Sequence, residues 1–285
     1  MVTANRIRLT GLLRRSPRLA RASVLVAPVG LAPPPVPDAP LPRAPVAVAE
    51  VLSSTSADLR EAIARWAPKS APPPSDVVRY ALFQQRLYRL LARDTKLAHG
   101  SLPLLAPPLR AKSRDLLVAQ RELYRLTPPL PGRARIKVGA SPPAAALLSY
   151  YREAQRRFRV QWSVLAAVNF VESKFGKLRN ASAAGAQGPM QFIPATWKRY
   201  GLGGNVHDPH DAVLGAASYL RASGAPRNLR RALRAYNPSP LYVDAVLRYA
   251  RRLQADRTLF YELYSWQVFL KTPRGDRRVT GPGLP

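Results

Sequence analysis

Proline restricts this chain more than any other residue. It fixes φ, removes a backbone donor and stops any helix in whose interior it falls. Of 30 prolines in 285 residues, 21 precede Ala144 and six lie between residues 144 and 260. Helices in the first half must be short and punctuated, whereas the second half is free to form a helical core. Eight prolines crowd the stretch from Pro28 to Pro45, which reads as an extended, semi-rigid spacer. Ahead of it lie six arginines between Arg6 and Arg21 and a short apolar run, Ala22 to Ala32. Basic, then apolar, then small residues is the order of an export signal, although Pro28 interrupts the run. The competing reading is a basic leader.

Between Val46 and Arg135 three helical patterns alternate with proline clusters. Ser56-Ala57-Asp58 is expected to open a helix running to Trp66, and Ser75 to cap a longer one from Asp76 to Ala98. Leu116 to Leu126 makes the third, and no residue here is chemically poised. Beyond Ala144 the helix signals become dense. Ala144 to Arg157 is amphipathic, while Trp162 to Glu172 is apolar almost all round and should form a buried central helix ended by Gly176. Asp208-Pro209 reads as an N-cap followed by proline at the first helical position, with Asp211 acting on the first-turn amides. Ser239-Pro240 repeats the device. Near the end, Tyr264 to Leu270 alternates like a strand, and the turn Pro273 to Asp276 leads to Arg277–Thr280, which predicts a hairpin. Arg274-Gly275-Asp276 also spells an adhesion tripeptide, but turn chemistry accounts for it. The organisation is a leader and spacer over 1–45, a helical region over 46–138, an all-α domain over 139–258 and a tail over 259–285.

Composition removes several functions. Cysteine is absent, which excludes a disulfide scaffold, a cysteine-ligated metal and a thiol nucleophile. No run approaches the 18 or so apolar residues of a membrane span. The net charge of +29 attracts a polyanion without naming one: nucleic acid, anionic lipid or anionic cell-wall polymers would each serve. The bases are spread evenly along the chain, without the basic element and interleaved aromatics of a nucleic-acid binder, so no specific nucleic acid is expected.

Glu172 is the residue of chemical interest. Leu165, Val168 and Glu172 fall at i, i+3 and i+7, placing the carboxyl on the face of two core residues. Burial without a partner raises a carboxyl pKa and leaves the acid protonated, as a general acid requires. Alternatively, a glutamate at a helix end turns out to solvent. After it comes a Gly/Ala-rich loop, Asn180 to Gln191, whose small residues let backbone approach a ligand closely.

Four stretches, ESKFG from Glu172, ASAAGAQGPMQFIPATW from Ala181, HDPHDAVLGAASYL from His207 and RALRAYN from Arg231, resemble in order the lysozyme-like catalytic domain of soluble lytic transglycosylases. Pro189 stands where that family most often has leucine. The resemblance spans roughly residues 144–256 and implies an all-α, lysozyme-like fold acting on peptidoglycan glycan strands. By this likeness Glu172 would be the catalytic acid, then the base, in forming a 1,6-anhydromuramic end. Ser182, Gln191, Tyr236 and Asn237 would hydrogen-bond the sugar, and Met190 would line the cleft. Asn237-Pro238 could instead simply stop a helix, with Tyr236 packing beneath it. Trp197, Tyr200 and Trp266 are candidates for sugar stacking, with packing the favoured reading.

A glycosidase normally sets two carboxylates across the scissile bond. The acids following Glu172 in the similar region are Asp208, Asp211, Asp244 and Asp256, of which the first two are accounted for as caps. The substrate's own acetamido group is the family's substitute for a second acid. His207, His210, Asp208 and Asp211 could suggest a metal, but capping occupies the aspartates, so neither metal nor cofactor is expected. A lysozyme-type hydrolase on the same fold and a non-catalytic wall binder are the rival readings. An exported monomer at the cell wall is the expectation.

Overall fold

Prolines begin helices in this protein. In the computed structural model, which describes residues 32–67, 69–130 and 135–284, five α-helices carry proline in their first turn, where the missing N–H has no partner to lose. The leader, residues 1–31, lies outside the described residues, and with it the export-signal reading. From Pro33 onward the chain forms one compact unit. Its described residues hold eleven α-helices and one hairpin.

The first four helices are α1 (Pro45–Arg65), α2 (Ser75–Arg93), α3 (Thr95–Ser101) and α4 (Pro107–Leu126). Three differ from expectation. The helix predicted from Ser56 starts at Pro45, and Ser56 is a buried mid-helix residue. Val48, Leu52, Leu59 and Ile63 form one continuous buried stripe, so tertiary packing extends the helix through a serine that resembles a cap. The single helix predicted over Asp76–Ala98 is two, because Asp94 leaves helical geometry and its side chain accepts from the Leu97 amide at 2.8 Å, opening α3. Ser75 itself is the first residue of α2 and makes no cap bond. The third helix begins at Pro107, nine residues before Leu116. Residues 33–44 are irregular, as a proline spacer should be. They are nonetheless pinned to α2, with Arg79 donating to the Pro35 carbonyl and Arg86 to those of Pro37 and Ala39.

The second group comprises α5 (Ala144–Phe158), α6 (Trp162–Ser173), α7 (Pro194–Tyr200), α8 (Pro209–Ala222), α9 (Leu229–Tyr236), α10 (Pro240–Ala255) and α11 (Thr258–Ser265). Helix α6 is the predicted centre, with Val164 to Val168 at most 1% exposed. Helix α10 packs across both α6 and α4. Asp115 of α4 is clamped by Arg248, Arg251 and Arg252 of α10, at 3.0, 2.7 and 2.5 Å. Burial pushes the Asp115 carboxyl up, but the bonds from Arg251 and Arg252 outweigh this and hold it below its ordinary value. Lys112 of α4 meets the fully buried Glu262 of α11 at 3.0 Å. The early helices thus brace α10 and α11.

The tail is the predicted hairpin, shifted. Strands β1 (Phe269–Thr272) and β2 (Gly275–Arg278) pair antiparallel around Pro273-Arg274, Phe269 opposite Arg278. Tyr264 and Ser265 belong to α11. Residues 264–268 are all buried, so their alternation marks a covered connection and not a half-exposed strand. Asp276 of the adhesion-like tripeptide is held by Arg89 and Arg93, its side chain only 5% exposed.

Candidate active site

The end of α6 is built from unusual backbone. Lys174, Phe175 and Gly176 all have positive φ, at 54°, 60° and 82°, and glycine accommodates only the last without strain. Two left-handed non-glycine residues in succession cost on the order of 1 kcal/mol each, and packing must hold them. Phe175 is fully buried against Phe170 and Phe260, which supplies that hold. The Ser173 hydroxyl accepts from the Gly176 amide at 2.8 Å and donates to the Pro189 carbonyl at 2.6 Å. This ties the helix end to the Gly/Ala-rich loop. Further on, Lys177 donates to the carbonyls of Tyr264 and Trp266 at 2.5 and 2.6 Å, anchoring the exit from α6 on α11.

Glu172 occupies the last turn of α6. Its Oε1 accepts a 2.6 Å hydrogen bond from the Tyr242 hydroxyl of α10. The side chain keeps partial solvent access, yet the dense apolar surroundings dominate its titration. Burial raises its pKa from the ordinary 4.5 to about 7, against opposing pulls from the Tyr242 hydrogen bond and the Lys174 charge. Lys174 is lowered to about 8, chiefly by burial, with Glu172 pulling the other way. Among the described residues, the groups that set the Glu172 proton affinity are Tyr242 and Lys174, and no second carboxylate is one of them.

The loop is shaped by its own hydrogen bonds. Ser182 is exposed, with its hydroxyl accepting from the Ala186 amide at 3.0 Å. Gly188 has φ 72°, and a Cβ there would lie 1.9 Å from the Val206 carbonyl oxygen, so glycine is required. Gln191 has φ 50° and its side-chain Nε2 donates to the carbonyls of Gly188 and Asn180 at 3.0 and 3.3 Å. Met190 is fully buried, and its carbonyl accepts from the Tyr236 hydroxyl at 2.7 Å. Tyr236 packs on Phe192 and Tyr219. Its hydroxyl pKa is driven up by burial and then by the Glu172 charge, which places the ring within electrostatic reach of the acid. Asn237 ends α9, its side-chain oxygen accepting from the Ser239 amide at 3.0 Å in an Asx turn. Glu172, Tyr236 and Met190 are thus linked through one region, whereas Ser182, Gln191 and Asn237 spend bonding capacity on loop geometry.

The other acids are engaged elsewhere. Asp208 caps α8, accepting from the amides of His210 and Asp211 at 2.9 and 3.0 Å. Asp211 does not serve the first-turn amides as expected but turns back to the Asn205 amide at 2.9 Å, since Asp208 already satisfies them. Asp244 pairs with Arg230 at 2.6 Å and Asp256 with Arg60 at 2.5 Å. Asp208, His210 and Asp211 bring ligand atoms within 4.8 Å of one another, but His210 is bonded to Glu153 at 2.9 Å and both aspartates hold backbone amides. Trp266 is a core residue, 2% exposed, while Trp197 and Tyr200 are half-buried.

Residues 149–258 match the family model described as the transglycosylase SLT domain. The match spans less than half of the chain and takes in the end of α6, the loop, α9 and α10. The recognition of the soluble lytic transglycosylase family is borne out over those residues, as is the all-α, lysozyme-like class. The domain indicates an activity of the lytic transglycosylase type, directed at peptidoglycan. No solved structure matches the chain.

Sequence reasoning missed Tyr242. The signal was available, because Tyr242, Val246, Tyr249 and Leu253 recur at i, i+4, i+7 and i+11 as a buried stripe of α10. A tyrosine opening such a stripe must find a partner for its hydroxyl.

Proposed function

We propose that this protein cleaves the β-1,4 bond between N-acetylmuramic acid and N-acetylglucosamine without water, leaving a 1,6-anhydromuramic end. Glu172 gives its proton to the glycosidic oxygen as the bond to the anomeric carbon breaks. The substrate's acetamido oxygen stabilises the positive charge at that carbon, as in the substrate-assisted exceptions to the two-carboxylate rule. The ionised Glu172 then takes the proton from the muramic 6-hydroxyl, whose oxygen closes on the anomeric carbon and returns the enzyme to its starting state. Tyr242 donates to Oε1, which directs the transferable proton to Oε2 and stabilises the carboxylate between the steps. Tyr236 is the adjoining wall, its hydroxyl held by the carbonyl of the buried Met190, with Ser182, Gln191 and Asn237 as candidate sugar contacts. Such an enzyme works outside the cytoplasm, so the proposal includes export, and the +29 charge would hold it on anionic wall polymers.

The observation that carries this reading is one carboxyl raised to about 7, with no carboxylate partner setting its proton affinity among the described residues. Such a group is an acid and a base by turns near neutral pH. The test is mass spectrometry of muropeptides released from peptidoglycan by the full chain and by Glu172→Gln. Anhydro-ended products that vanish in the variant are expected. Reducing-ended products would assign a lysozyme-type hydrolase, and binding without release a non-catalytic wall protein.

A further inference from the structure

A cavity of about 450 Å³ lies between α2, α4, the end of α6, α10 and the hairpin. Its size is that of a small-molecule pocket. Glu172 does not line it. Its floor is aromatic, formed by Phe170, Tyr249 and Trp266, with Tyr124 and Phe269 toward the mouth.

The walls carry Arg89, Arg93, Arg121, Arg125, Lys174 and Lys271 against one carboxylate, Asp276. Asp276 is shared by Arg89 and Arg93. Several of the others are fixed by carbonyl oxygens. Arg121 donates to those of Leu91 and Ala92, both at 2.9 Å, and Lys271 to those of Tyr124 and Thr127 at 3.0 and 2.9 Å. Lys174 donates to the Phe170 carbonyl at 2.9 Å. A carbonyl orients a cation but leaves its charge uncompensated, so the bonds on Arg121 and Lys271 preorganise positive charge without cancelling it, while Lys174 also feels the nearby Glu172. Low-dielectric walls concentrate the resulting field in the cleft. The amide nitrogen of Gln120, also in the wall, is buried without a hydrogen-bond partner among the described residues, leaving a donor for a ligand oxygen.

We propose that this cavity is a binding site, separate from the Glu172 site, for a phosphate or carboxylate carried on an apolar or aromatic group. The oxyanion meets the fixed cations and the Gln120 amide, and the attached group covers the rings. The inference does not depend on the reaction assigned to Glu172.

The test is calorimetric titration of the full chain with phenyl phosphate. Saturable one-to-one binding is expected, and phenol, which lacks the charge, should give none. Lys271→Gln and Arg125→Gln should each weaken it by about tenfold. Arg125 is exposed, so its replacement leaves the fold intact even if that of Lys271 does not. Arg152→Gln, at an exposed position on α5 outside the cavity, should leave the affinity unchanged. Competition between phenyl phosphate and monomeric dihexanoyl phosphatidylglycerol would mark a lipid headgroup as a source of the anion, and its absence would assign the cavity to soluble esters. Undiminished binding in both cavity variants, an equal loss in Arg152→Gln, or no saturable binding would overturn the proposal.

Discussion

Replacing Glu172 by glutamine should change how stability depends on pH, by an amount the site dictates. The folded chain holds the Glu172 proton to about pH 7, whereas the unfolded chain releases it near the ordinary 4.5. Between those values the native state binds more protons than the unfolded one, so stability falls as pH rises and levels off above the folded pKa. The span from 4.5 to about 7, at about 1.4 kcal/mol per pH unit, gives roughly 3–4 kcal/mol in all, of which about 3 kcal/mol has developed by pH 7. Glutamine has the same shape, keeps an oxygen for the Tyr242 hydroxyl and cannot ionise. Urea unfolding of both proteins from about pH 4 to about pH 7, below the main Lys174 titration, yields the two stability curves. Wild type minus variant should fall by about 3 kcal/mol across that range. A difference that stays flat would mean Glu172 titrates alike in both states, and the buried-acid argument would fail.

Two further substitutions probe the same site. Tyr242→Phe removes the bond that opposes burial, so the pH at which muropeptide release declines through loss of the proton should move up by about one unit, with a lower maximal rate; hydrogen bonds to charged groups are worth about 1.5–3 kcal/mol. Gly188→Ala drives a Cβ onto the Val206 carbonyl at a positive φ, and thermal unfolding should show a loss on the order of 2 kcal/mol, with no pH dependence of the kind seen for Glu172.

Legibility of this chain followed the range of the interactions. The Trp162–Glu172 helix was plain because an all-round apolar run has nowhere to go but the core, and Asp208-Pro209 because a cap acts within three residues. The start of α1 was not, since Ser56 has the chemistry of a cap and only the distant surfaces that cover Val48 and Leu52 overrule it. Asp94 was hidden for the opposite reason, a local cap inside an uninterrupted apolar pattern. At the site, Glu172 could be suspected from its face of the helix, but its Tyr242 partner lies 70 residues away, a pairing that only the crossing of α6 and α10 creates. The same holds for the clamp on Asp115 and for Lys112 with Glu262, which join early helices to late ones.

The most direct test is the titration of Glu172 itself. In protein carrying 13C at the glutamate side-chain carboxyls, the resonance that disappears in Glu172→Gln should show a midpoint at about pH 7. A midpoint for that resonance near 4.5, the ordinary glutamate value, would contradict the account.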